Sequence, residues 1–496
     1  MRRSIRLIRL AGPLLLLVAG CALNPVTGRP EMVLVSQAKE RELGEAEAKR
    51  VAETIGLVDD AALTAYVGSV GERLARFSPL DVPYTFQVVD MEEPNAFALP
   101  GGYVYVSRGI LALMNTEDEL AGVLGHEVGH VAARHAVRRV SQAAPLAVVT
   151  GVTAAVTGIV SPTLGGLVGG VGNAANALIL APYSREQERE ADRIGQDLAA
   201  QAGWDPAGLS RSLQALERDE ALEGEGERAM SFFATHPPLP RRVAETEEHA
   251  KTLQRGPAAP IAGTRTEFLY RLDGLPIGPR PADGVFQGEM FLHPDLDFHL
   301  RFPTGWKTVN ARTLVGASAP DGRAVVGLEV AGSGNDPATA MRALEQEAKV
   351  DLASHAERLT IGDLPAMHAT ARARTRDGVV VLDLTWIALG GRIYRITGAT
   401  PVAGAEALRP VFRDTAASLG PLTATERASI RETRLRLVQA RAGESLEALL
   451  TRAHGKWSAE MAAVANGLDA TTPLQEGQLI KVPVERPYRP KIDAPS

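Results

Sequence analysis

Hydrophobic and polar positions in the first half of the chain follow the helical period and predict two long amphipathic helices. The first begins after Thr116, which can form a capping box with Glu119, and it is expected to run to about Gln142. The second begins after Ser184, in another capping box. We expect its apolar stripe to pack toward the first helix; the stripe consists of Ala191, Ile194, Gly195 and Leu198.

The second half of the chain changes to alternating and β-rich runs, which predict strands. These runs cover Asp297–Phe302, Ala324–Val330, Val379–Ile387 and Arg392–Ile396. Helical patterns cover Pro337–His355 and Gly404–Leu419. Residues 252–284 are rich in Pro, Gly and Ala and are expected to be a linker. We therefore expect residues 285–420 to form an α/β module, and because no chemistry is evident there, its expected role is interaction.

The N-terminus combines a basic segment with a short apolar run. Four arginines precede the uncharged run Leu10–Ala19, which is shorter than the about 20 residues of a transmembrane helix. This order is typical of a secretory signal peptide, here residues 1–20. Val18-Ala19-Gly20-Cys21 resembles the lipobox of bacterial lipoproteins. The resemblance implies a lipid on Cys21 and, from Ala22, a place on the periplasmic side of the outer membrane. An uncleaved anchor with an incidental cysteine is the alternative.

Composition limits the class of protein. The 496 residues are enough for two to four domains of about 100–200 residues, and a hydrophobic content of 45% excludes a disordered chain. The formal net charge of −6 provides no basic surface for nucleic acid, so we expect no nucleic-acid partner. The single cysteine cannot form an intramolecular disulfide.

The first predicted helix contains the sequence His126-Glu127-Val128-Gly129-His130. Histidines at i and i+4 share one helix face, so His126 and His130 can reach one metal ion. Glu127 is then placed to take a proton from a water and pass it to a leaving amine. We expect one catalytic zinc ion per chain. The alternative, two surface histidines, fits poorly with the apolar residues on that face.

A catalytic zinc requires a third protein ligand. The metzincin spacing is excluded because Ala136 stands where the third histidine would be. His135 lies about half a turn around the helix from His126, so we expect it at the surface or facing a partner. On the second helix, Glu188 and Asp192 share a face, which suggests Glu188 as the third ligand and Asp192 as the carboxylate that orients a ligand histidine. The neighbouring Glu186 and Glu190 are expected in solvent, and either remains an alternative ligand.

These residues together resemble a known protein family. His126-Glu-x-x-His130, followed by Ser184-Arg-x-x-Glu188-x-x-Ala191-Asp192, resembles the zinc metalloprotease family of the CAAX prenyl protease and HtpX. Two other segments, Asn95–Val106 and Thr235-His236-Pro237-Pro238 with Arg242, are also similar to that family. The segment Asn24–Arg29 matches its secreted lipoprotein and periplasmic members. The resemblance covers roughly residues 24–250.

The resemblance implies further roles within a zincin-type protease domain, residues 21–251. The edge strand that begins with Asn95, Ala96, Phe97 and Ala98 would receive the substrate as an added β-strand. His236 would either stabilise the oxyanion or close the metal site as a reversible fourth ligand that keeps the enzyme latent. Arg242 would help hold the oxyanion or brace its loop.

The segment Ser141–Ser184 contains no charged residue. Some relatives in the family carry membrane spans here, so a transmembrane hairpin is one interpretation. However, Ser161-Pro162 and several glycines interrupt the segment, and Pro145–Val160 is short for a span. We favour a helix and a Gly-rich loop that pack over the active site as a lid or contact the bilayer.

The C-terminal residues 435–484 resemble a LysM module, a small βααβ unit that binds glycan. The resemblance is carried by Gly443-Glu444-Ser445-Leu446, Asn466-Gly467-Leu468 and Leu474–Pro483. It implies peptidoglycan as a possible partner. Residues 421–434 are expected to form a linker or helix before this module, and residues 485–496 a tail.

The sequence therefore predicts an α+β chain: a mainly helical metalloprotease domain with a small edge-stranded sheet, an α/β module and the LysM-like module. The expected function is zinc-dependent cleavage of unfolded or misfolded envelope proteins by a protein held at the membrane through Cys21. The alternative is a noncatalytic or latent zinc-containing scaffold that binds peptidoglycan or outer-membrane assembly machinery.

Overall fold

The computed structural model describes residues 21–23, 28, 30–32, 35–139, 182–223, 230–238, 241–375 and 378–490. The predicted signal peptide, residues 141–181 of the uncharged insert and the last six residues of the tail lie outside the described residues. Helices and strands both occur in the described chain, in agreement with the α+β class. Within these ranges, no helix combines the length and the apolar character needed to cross a membrane.

Fourteen α-helices are bounded within the described residues. In chain order they are α1 (Gln37–Thr54), α2 (Ala61–Ala75), α3 (Arg108–Leu113), α4 (Glu117–Ala132), α5 (Arg185–Gln201), α6 (Gly208–Glu223), α7 (Phe232–Thr235), α8 (Arg242–Thr252), α9 (Arg265–Leu272), α10 (Pro337–Ala348), α11 (Ala405–Ala417), α12 (Ala424–Ser429), α13 (Leu446–Ala453) and α14 (Ala459–Asn466).

The strands of the described chain are mostly short. In chain order they are β1 (Cys21–Leu23), β2 (Pro30–Met32), β3 (Thr85–Val89), β4 (Ala96–Leu99), β5 (Tyr103–Ser107), β6 (Pro276–Ile277), β7 (Val285–Gln287), β8 (Met290–His293), β9 (Phe298–Arg301), β10 (Lys307–Ala311), β11 (Leu314–Ser318), β12 (Val325–Ser333), β13 (Glu357–Ile361), β14 (Leu364–Thr375), β15 (Gly378–Leu389), β16 (Arg392–Pro401), β17 (Gly420–Pro421), β18 (Arg431–Gln439) and β19 (Leu479–Pro487).

The described residues form two compact units. The first contains the described parts of 21–139, 182–275 and 435–484, and the second contains those of 276–434 and 485–490. The chain leaves the first unit at Leu275 and returns to it at Leu435. These two points are joined: the Leu435 N–H donates to Leu275 O, and the Gly274 N–H donates to Leu435 O, both at 2.8 Å.

A small sheet in the first unit has the order β3-β5-β4. β5 pairs in parallel with β3 and antiparallel with β4, with Ala96 opposite Val106 and Leu99 opposite Tyr103. β4 is therefore an edge strand of this sheet. All four of its residues are buried, and Phe97 stacks on Tyr105 at a centroid distance of 4.9 Å.

Helices α4 and α5 pack backbone against backbone. A Cβ added to Gly195 would lie 2.5 Å from the His126 nitrogen, and one added to Gly125 would lie 2.7 Å from Gly195 O. Only glycine at these positions allows such a close approach. The predicted packing of the two helices is thus observed, and it sets the metal-motif residues of α4 directly beside the carboxylates of α5.

The predicted extent of the first helix is wrong at its C-terminal end. α4 begins as expected, with Thr116 Oγ1 accepting from the Glu119 N–H, although the Glu119 carboxylate accepts from Asn115 N rather than from Thr116. The helix ends at Ala132 instead of near Gln142. Arg134 adopts a left-handed conformation with φ 54°, and residues 135–139 are helical again after this interruption.

Residues 435–484 contain a strand, two helices and a strand, the order predicted for the C-terminal module. They have their own apolar core, which includes Leu449, Ala462 and Ile480. Within the first unit they contact α3 and the turn after it: the buried Lys481 Nζ donates to Ala112 O at 2.7 Å and to Met114 O at 2.6 Å. The assignment to LysM stays a prediction.

The second unit is built on a seven-stranded antiparallel sheet with the order β10-β11-β12-β16-β15-β14-β13. A four-stranded sheet, β17-β9-β8-β7, lies in the same unit. The four predicted strands correspond to β9, β12, β15 and β16, and the predicted helices to α10 and α11. The strands β7, β8, β10, β11, β13 and β14 were not predicted.

Candidate metal centre

His126 and His130 project from one face of α4 into the interior of the first unit. Both side chains are almost completely excluded from solvent, and their Nε2 atoms lie 3.0 Å apart. Burial lowers the pKa of His130 well below its usual value, although the Glu188 carboxylate opposes this. A neutral imidazole with a free nitrogen is the form that binds a metal.

The carboxylate of Glu188 reaches the same point from α5. Its Oε1 lies 3.4 Å from His130 Nε2, and its Oε2 lies 3.7 Å from His126 Nε2. Burial by itself would raise the pKa of this carboxyl, but the charges of His236 and Arg242 hold it well below its usual value. Glu188 is therefore an anion, as a metal ligand must be.

Asp192, one turn further along α5, faces the other nitrogen of His126. Its Oδ1 lies 2.9 Å from His126 Nδ1. A carboxylate at this position favours the tautomer with the proton on Nδ1 and the lone pair on Nε2. The structure thus places Asp192 where the sequence analysis expected a residue that orients a ligand histidine.

Arg242, the first residue of α8, holds both carboxylates of α5. Its Nε and Nη2 donate to Asp192 Oδ2 and Oδ1 at 2.9 and 2.8 Å, and its Nη1 lies 2.9 Å from Glu188 Oε2. The guanidinium is buried. Of the two roles considered for Arg242, these contacts correspond to bracing rather than to holding an oxyanion.

His236 follows the short helix α7 and completes the cluster. Its Nδ1 lies 3.2 Å from His126 Nε2 and 3.1 Å from Glu188 Oε1. Its Nε2 lies 3.3 Å from Ala96 O on β4. The ring stacks on Phe232 at 4.4 Å, which fixes its plane. His236 therefore connects the cluster to the edge strand.

One ligating atom from each of His126, His130, Glu188 and His236 lies within 4.8 Å of the other three. Three imidazoles and one carboxylate are a donor set that suits a divalent transition metal. Neither carboxylate oxygen of the buried Glu127 has a hydrogen-bond partner among the described residues. Orphaned oxygens beside four converging ligand atoms fit a metal ion with a water that Glu127 would contact.

Burial raises the pKa of Glu127, although His236 and His126 oppose this shift. A carboxylate with a raised pKa is a better proton acceptor than one in water. Its position one residue after His126 keeps it beside the ligands without joining them. This is the arrangement that a general base next to a metal site requires.

The predicted substrate strand lies at the border of the cluster. Asn95 is buried and its Nδ2 donates to Met230 O at 2.7 Å, while Ala96 O contacts His236. Phe97 and Ala98 continue β4 away from this contact. The four residues thus form the edge of the sheet that is nearest to the metal ligands.

The expected position of His135 is wrong, because this side chain is fully buried. Its Nδ1 lies 2.8 Å from His130 Nδ1, and its Nε2 lies 3.1 Å from Glu190 Oε2. Glu190 is also mostly buried rather than solvated, with 17% of its side chain exposed. The error arises because α4 stops at Ala132, so the position of His135 does not follow from the helical period of α4. Glu186 is exposed as expected.

Tyr183 is a further site residue that the sequence analysis missed. Its ring stacks on His130 at a centroid distance of 3.8 Å, and the guanidinium of Arg139 lies 3.8 Å above the Tyr183 ring. Tyr183 directly precedes Ser184, the N-cap of α5. Its place directly before the predicted N-cap Ser184 was the one sequence feature that could have indicated a position near the site.

Residues 61–250 match Peptidase family M48. The chain is 34% identical over 186 residues to the mitochondrial metalloendopeptidase OMA1 of Schizosaccharomyces pombe, a match that covers 37% of this chain and 52% of that protein. It is 28% identical over 275 residues to the beta-barrel assembly-enhancing protease of Yersinia pestis, covering 54% and 56%. It is 34% identical over 166 residues to the metalloprotease LoiP of Escherichia coli strain K12, covering 32% and 60%.

The chain spans about half the length of the curated relatives it matches. The matched region contains the whole cluster: His126, Glu127, His130, Glu188 and His236 all lie within residues 61–250. These similarities support the prediction of a metalloendopeptidase.

Proposed function

We propose that the protein is a zinc-dependent endopeptidase of the bacterial envelope that cleaves misfolded or stalled envelope proteins. The observation that carries this proposal is the fully buried carboxylate of Glu127, which accepts no hydrogen bond from the described residues and has only an ion-pair contact of 3.5 Å to His236 Nε2, beside the cluster of His126, His130, Glu188 and His236. A carboxylate that is buried without a hydrogen-bond partner is costly, so its retention there indicates a functional role.

His126, His130 and Glu188 would hold the zinc, and Asp192 and Arg242 would orient and charge-balance these ligands. When bound, zinc supplies Lewis acidity that polarises the scissile carbonyl and lowers the pKa of the attacking water. Glu127 takes the proton from that water and later delivers it to the leaving amine. Both proton transfers use the carboxylate that burial has made more basic.

His236 acts in this proposal as a reversible fourth ligand that keeps the enzyme latent. Its Nδ1 already lies 3.2 Å from His126 Nε2 and 3.1 Å from Glu188 Oε1, which leaves little room for a water and a peptide at the same point. Stabilisation of the oxyanion is the alternative role. That role would require the His236 ring to lie beside His126, His130 and Glu188 rather than among them.

The edge strand β4 provides the substrate site. A peptide that adds to β4 in extended form would bind mainly through its backbone, which favours unfolded segments and selects weakly among sequences. At present Ala96 O is engaged by His236 Nε2. Binding of a peptide next to Asn95 and Ala96 would therefore compete with the latent position of His236.

The proposal also includes location. Lipidation of Cys21 would hold the protein on the periplasmic side of the outer membrane, since two acyl chains anchor stably where one does not. Residues 435–484 would contact peptidoglycan as a LysM-like module. The relatives from Yersinia pestis and Escherichia coli strain K12 that are named beta-barrel assembly-enhancing protease support an envelope location.

The alternative is a noncatalytic scaffold that carries a structural or latent zinc site. Such a site has no use for a buried carboxylate that accepts no hydrogen bond beside the ligands, so Glu127 is evidence against it.

The deciding experiment measures casein cleavage and zinc content for the purified protein and its Glu127→Gln variant. We expect the variant to retain about one zinc per chain and to lose at least 100-fold in cleavage rate, because a proton acceptor is removed without a ligand. Glu186→Gln is the matched control, since Glu186 is exposed on α5. A zinc-loaded Glu127→Gln variant that cleaves as fast as the wild type would refute the catalytic proposal.

A further inference from the structure

His135 and Glu190 form a chain of contacts behind the ligand His130, on the side away from the other ligands. We propose that these two residues are positioning residues: they fix the tautomer and ring plane of His130 so that its Nε2 lone pair faces the metal. The inference rests on the proposed metal-dependent function and extends it to two side chains that do not touch the metal.

The direction of each hydrogen bond follows from the acceptor at the end of the chain. An ionised carboxylate only accepts, so the contact of 3.1 Å to Glu190 Oε2 requires the proton of His135 on Nε2. A neutral His135 then carries its lone pair on Nδ1 and accepts from the His130 Nδ1–H across 2.8 Å. His130 is left with its lone pair on Nε2, 3.0 Å from His126 Nε2.

The two ligand histidines therefore obtain the same tautomer by different means. His126 faces a carboxylate directly, because Asp192 Oδ1 lies 2.9 Å from its Nδ1. Glu190 is two residues before Asp192 on α5, which turns its side chain about 200° away around the helix. His135 bridges the gap between this carboxylate and His130.

The turn after α4 makes this bridge possible. Arg134 has φ 54°, an uncommon conformation for a residue with a side chain. Its guanidinium is held by the buried Glu40 of α1, with Nη2 2.6 Å and Nε 3.1 Å from Glu40 Oε2. Because α4 ends at Ala132 and Arg134 interrupts the helical conformation, His135 does not follow the helical period of α4 and lies against His130.

A second contact fixes the ring plane from the side. Tyr183 stacks on His130 with the rings inclined by 24°. The stacking still allows the His130 ring to turn in its own plane. The hydrogen bond from His130 Nδ1 to His135 prevents this rotation. Loss of His135 would thus release both the tautomer and the orientation of one metal ligand.

The test measures zinc affinity of the full chain by competition with a chromogenic chelator, for the wild type and for His135→Ala, Glu190→Ala and Glu190→Gln. We expect His135→Ala to weaken zinc binding about 10–100-fold, the range found when a partner of a ligand histidine is lost. Glu190→Ala should weaken it less, because His135 remains. Glu190→Gln should largely restore it, because an amide oxygen still accepts from His135 Nε2.

His249→Ala is the matched control. His249 also pairs with a carboxylate of α5, Asp197, at 3.3 Å, but it contacts none of the metal ligands. The zinc affinity of the His249→Ala variant should equal that of the wild type. Thermal unfolding of each apo variant shows that it is folded, and Glu190→Ala keeps the test valid if His135→Ala does not fold.

The outcomes separate the inference from the function it rests on. Wild-type zinc affinity in folded His135→Ala and Glu190→Ala would overturn the positioning role and leave the metal site intact. A wild-type protein that binds no zinc would instead overturn the proposed function itself. Equal losses in Glu190→Ala and Glu190→Gln would contradict the hydrogen-bond direction derived above and overturn the tautomer argument.

Discussion

Arg242 and Asp192 form a two-point ion pair, with distances of 2.9 and 2.8 Å, in a region from which solvent is excluded. The same guanidinium lies 2.9 Å from Glu188. One cation thus pairs with two carboxylates of α5: Glu188, a candidate metal ligand, and Asp192, which contacts the candidate ligand His126. Without it, two buried negative charges would face each other across one turn of helix.

Replacing Arg242 with alanine should strongly destabilise the fold. Breaking a buried ion pair on one side costs about 3–5 kcal/mol, because the remaining charge stays buried and unpaired. Urea unfolding of the apo protein measures the change in the free energy of unfolding. The control is Arg189→Ala, whose partner Glu245 is about half exposed; this pair should contribute less than about 1 kcal/mol. Equal effects of the two substitutions would contradict the bracing role of Arg242.

Replacing Gly195 with alanine should force α4 and α5 apart. The new Cβ would lie 2.5 Å from the His126 nitrogen, and the three nearest atoms all belong to the backbone of Gly125 and His126, which cannot rotate away. We expect a loss of about 1–3 kcal/mol in the free energy of unfolding, together with weaker zinc binding. Gly68→Ala in α2 is the control, since its Cβ would meet nothing within 4 Å; it should stabilise the helix by about 0.5–1 kcal/mol.

Replacing His236 with alanine should raise casein cleavage if the residue holds the enzyme latent. The substitution removes the nitrogen that lies 3.2 Å from His126 Nε2 and frees Ala96 O for a peptide. We expect a severalfold higher rate at unchanged zinc content. His249→Ala, which lies outside the cluster, should cleave at the wild-type rate. A fall in rate of 100-fold or more would instead identify His236 as an oxyanion stabiliser.

Replacing Lys481 with methionine should weaken the attachment of residues 435–484 to the rest of the first unit. Two carbonyl oxygens, Ala112 O and Met114 O, would lose their buried donor, at a cost of about 1–3 kcal/mol. Urea unfolding measures the effect. Lys251→Met is the control, because the Lys251 ammonium is exposed and pairs only at the surface, so no measurable change is expected. Equal stability of both variants would exclude a role for the two hydrogen bonds from Lys481 Nζ.

The core of the candidate site could be predicted because it depends on local spacing. His126 and His130 share a face through the helical period alone, and Glu188 and Asp192 do so on α5. The close packing of the two helices also has a local signal, since Gly195 lies in the apolar stripe of α5. These predictions needed no knowledge of how distant segments meet.

The neighbourhood of His130 could not be predicted for the opposite reason. The end of α4 depends on Arg134, whose conformation is held by Glu40, almost a hundred residues earlier in the chain. The sequence around Arg134 contains no feature that predicts its contact with Glu40. Because the helix ends there, the helical period of α4 does not place His135, and the contact of His135 with Glu190 keeps that carboxylate mostly out of solvent.

The strands of the second unit also divide into those that the local sequence pattern predicts and those that it does not. β15 and β16 were predicted because their residues are mostly apolar and buried. β10 was missed because all five of its residues are exposed at the edge of the sheet, so they show no apolar face. β7 and β8 are short, with three and four residues, and such runs lack enough positions to establish alternation.

The two hydrogen bonds that join Leu275 and Leu435 bear on how this protein came to be assembled. When a chain leaves a unit and returns to it at adjacent points, the segment between these points can be added or removed without changing the path of the chain in that unit. Residues 276–434 thus have the connectivity of an insertion into the first unit. In the laboratory, the same geometry marks Leu275 and Leu435 as the positions at which that insertion can be exchanged for a short turn or for an unrelated domain.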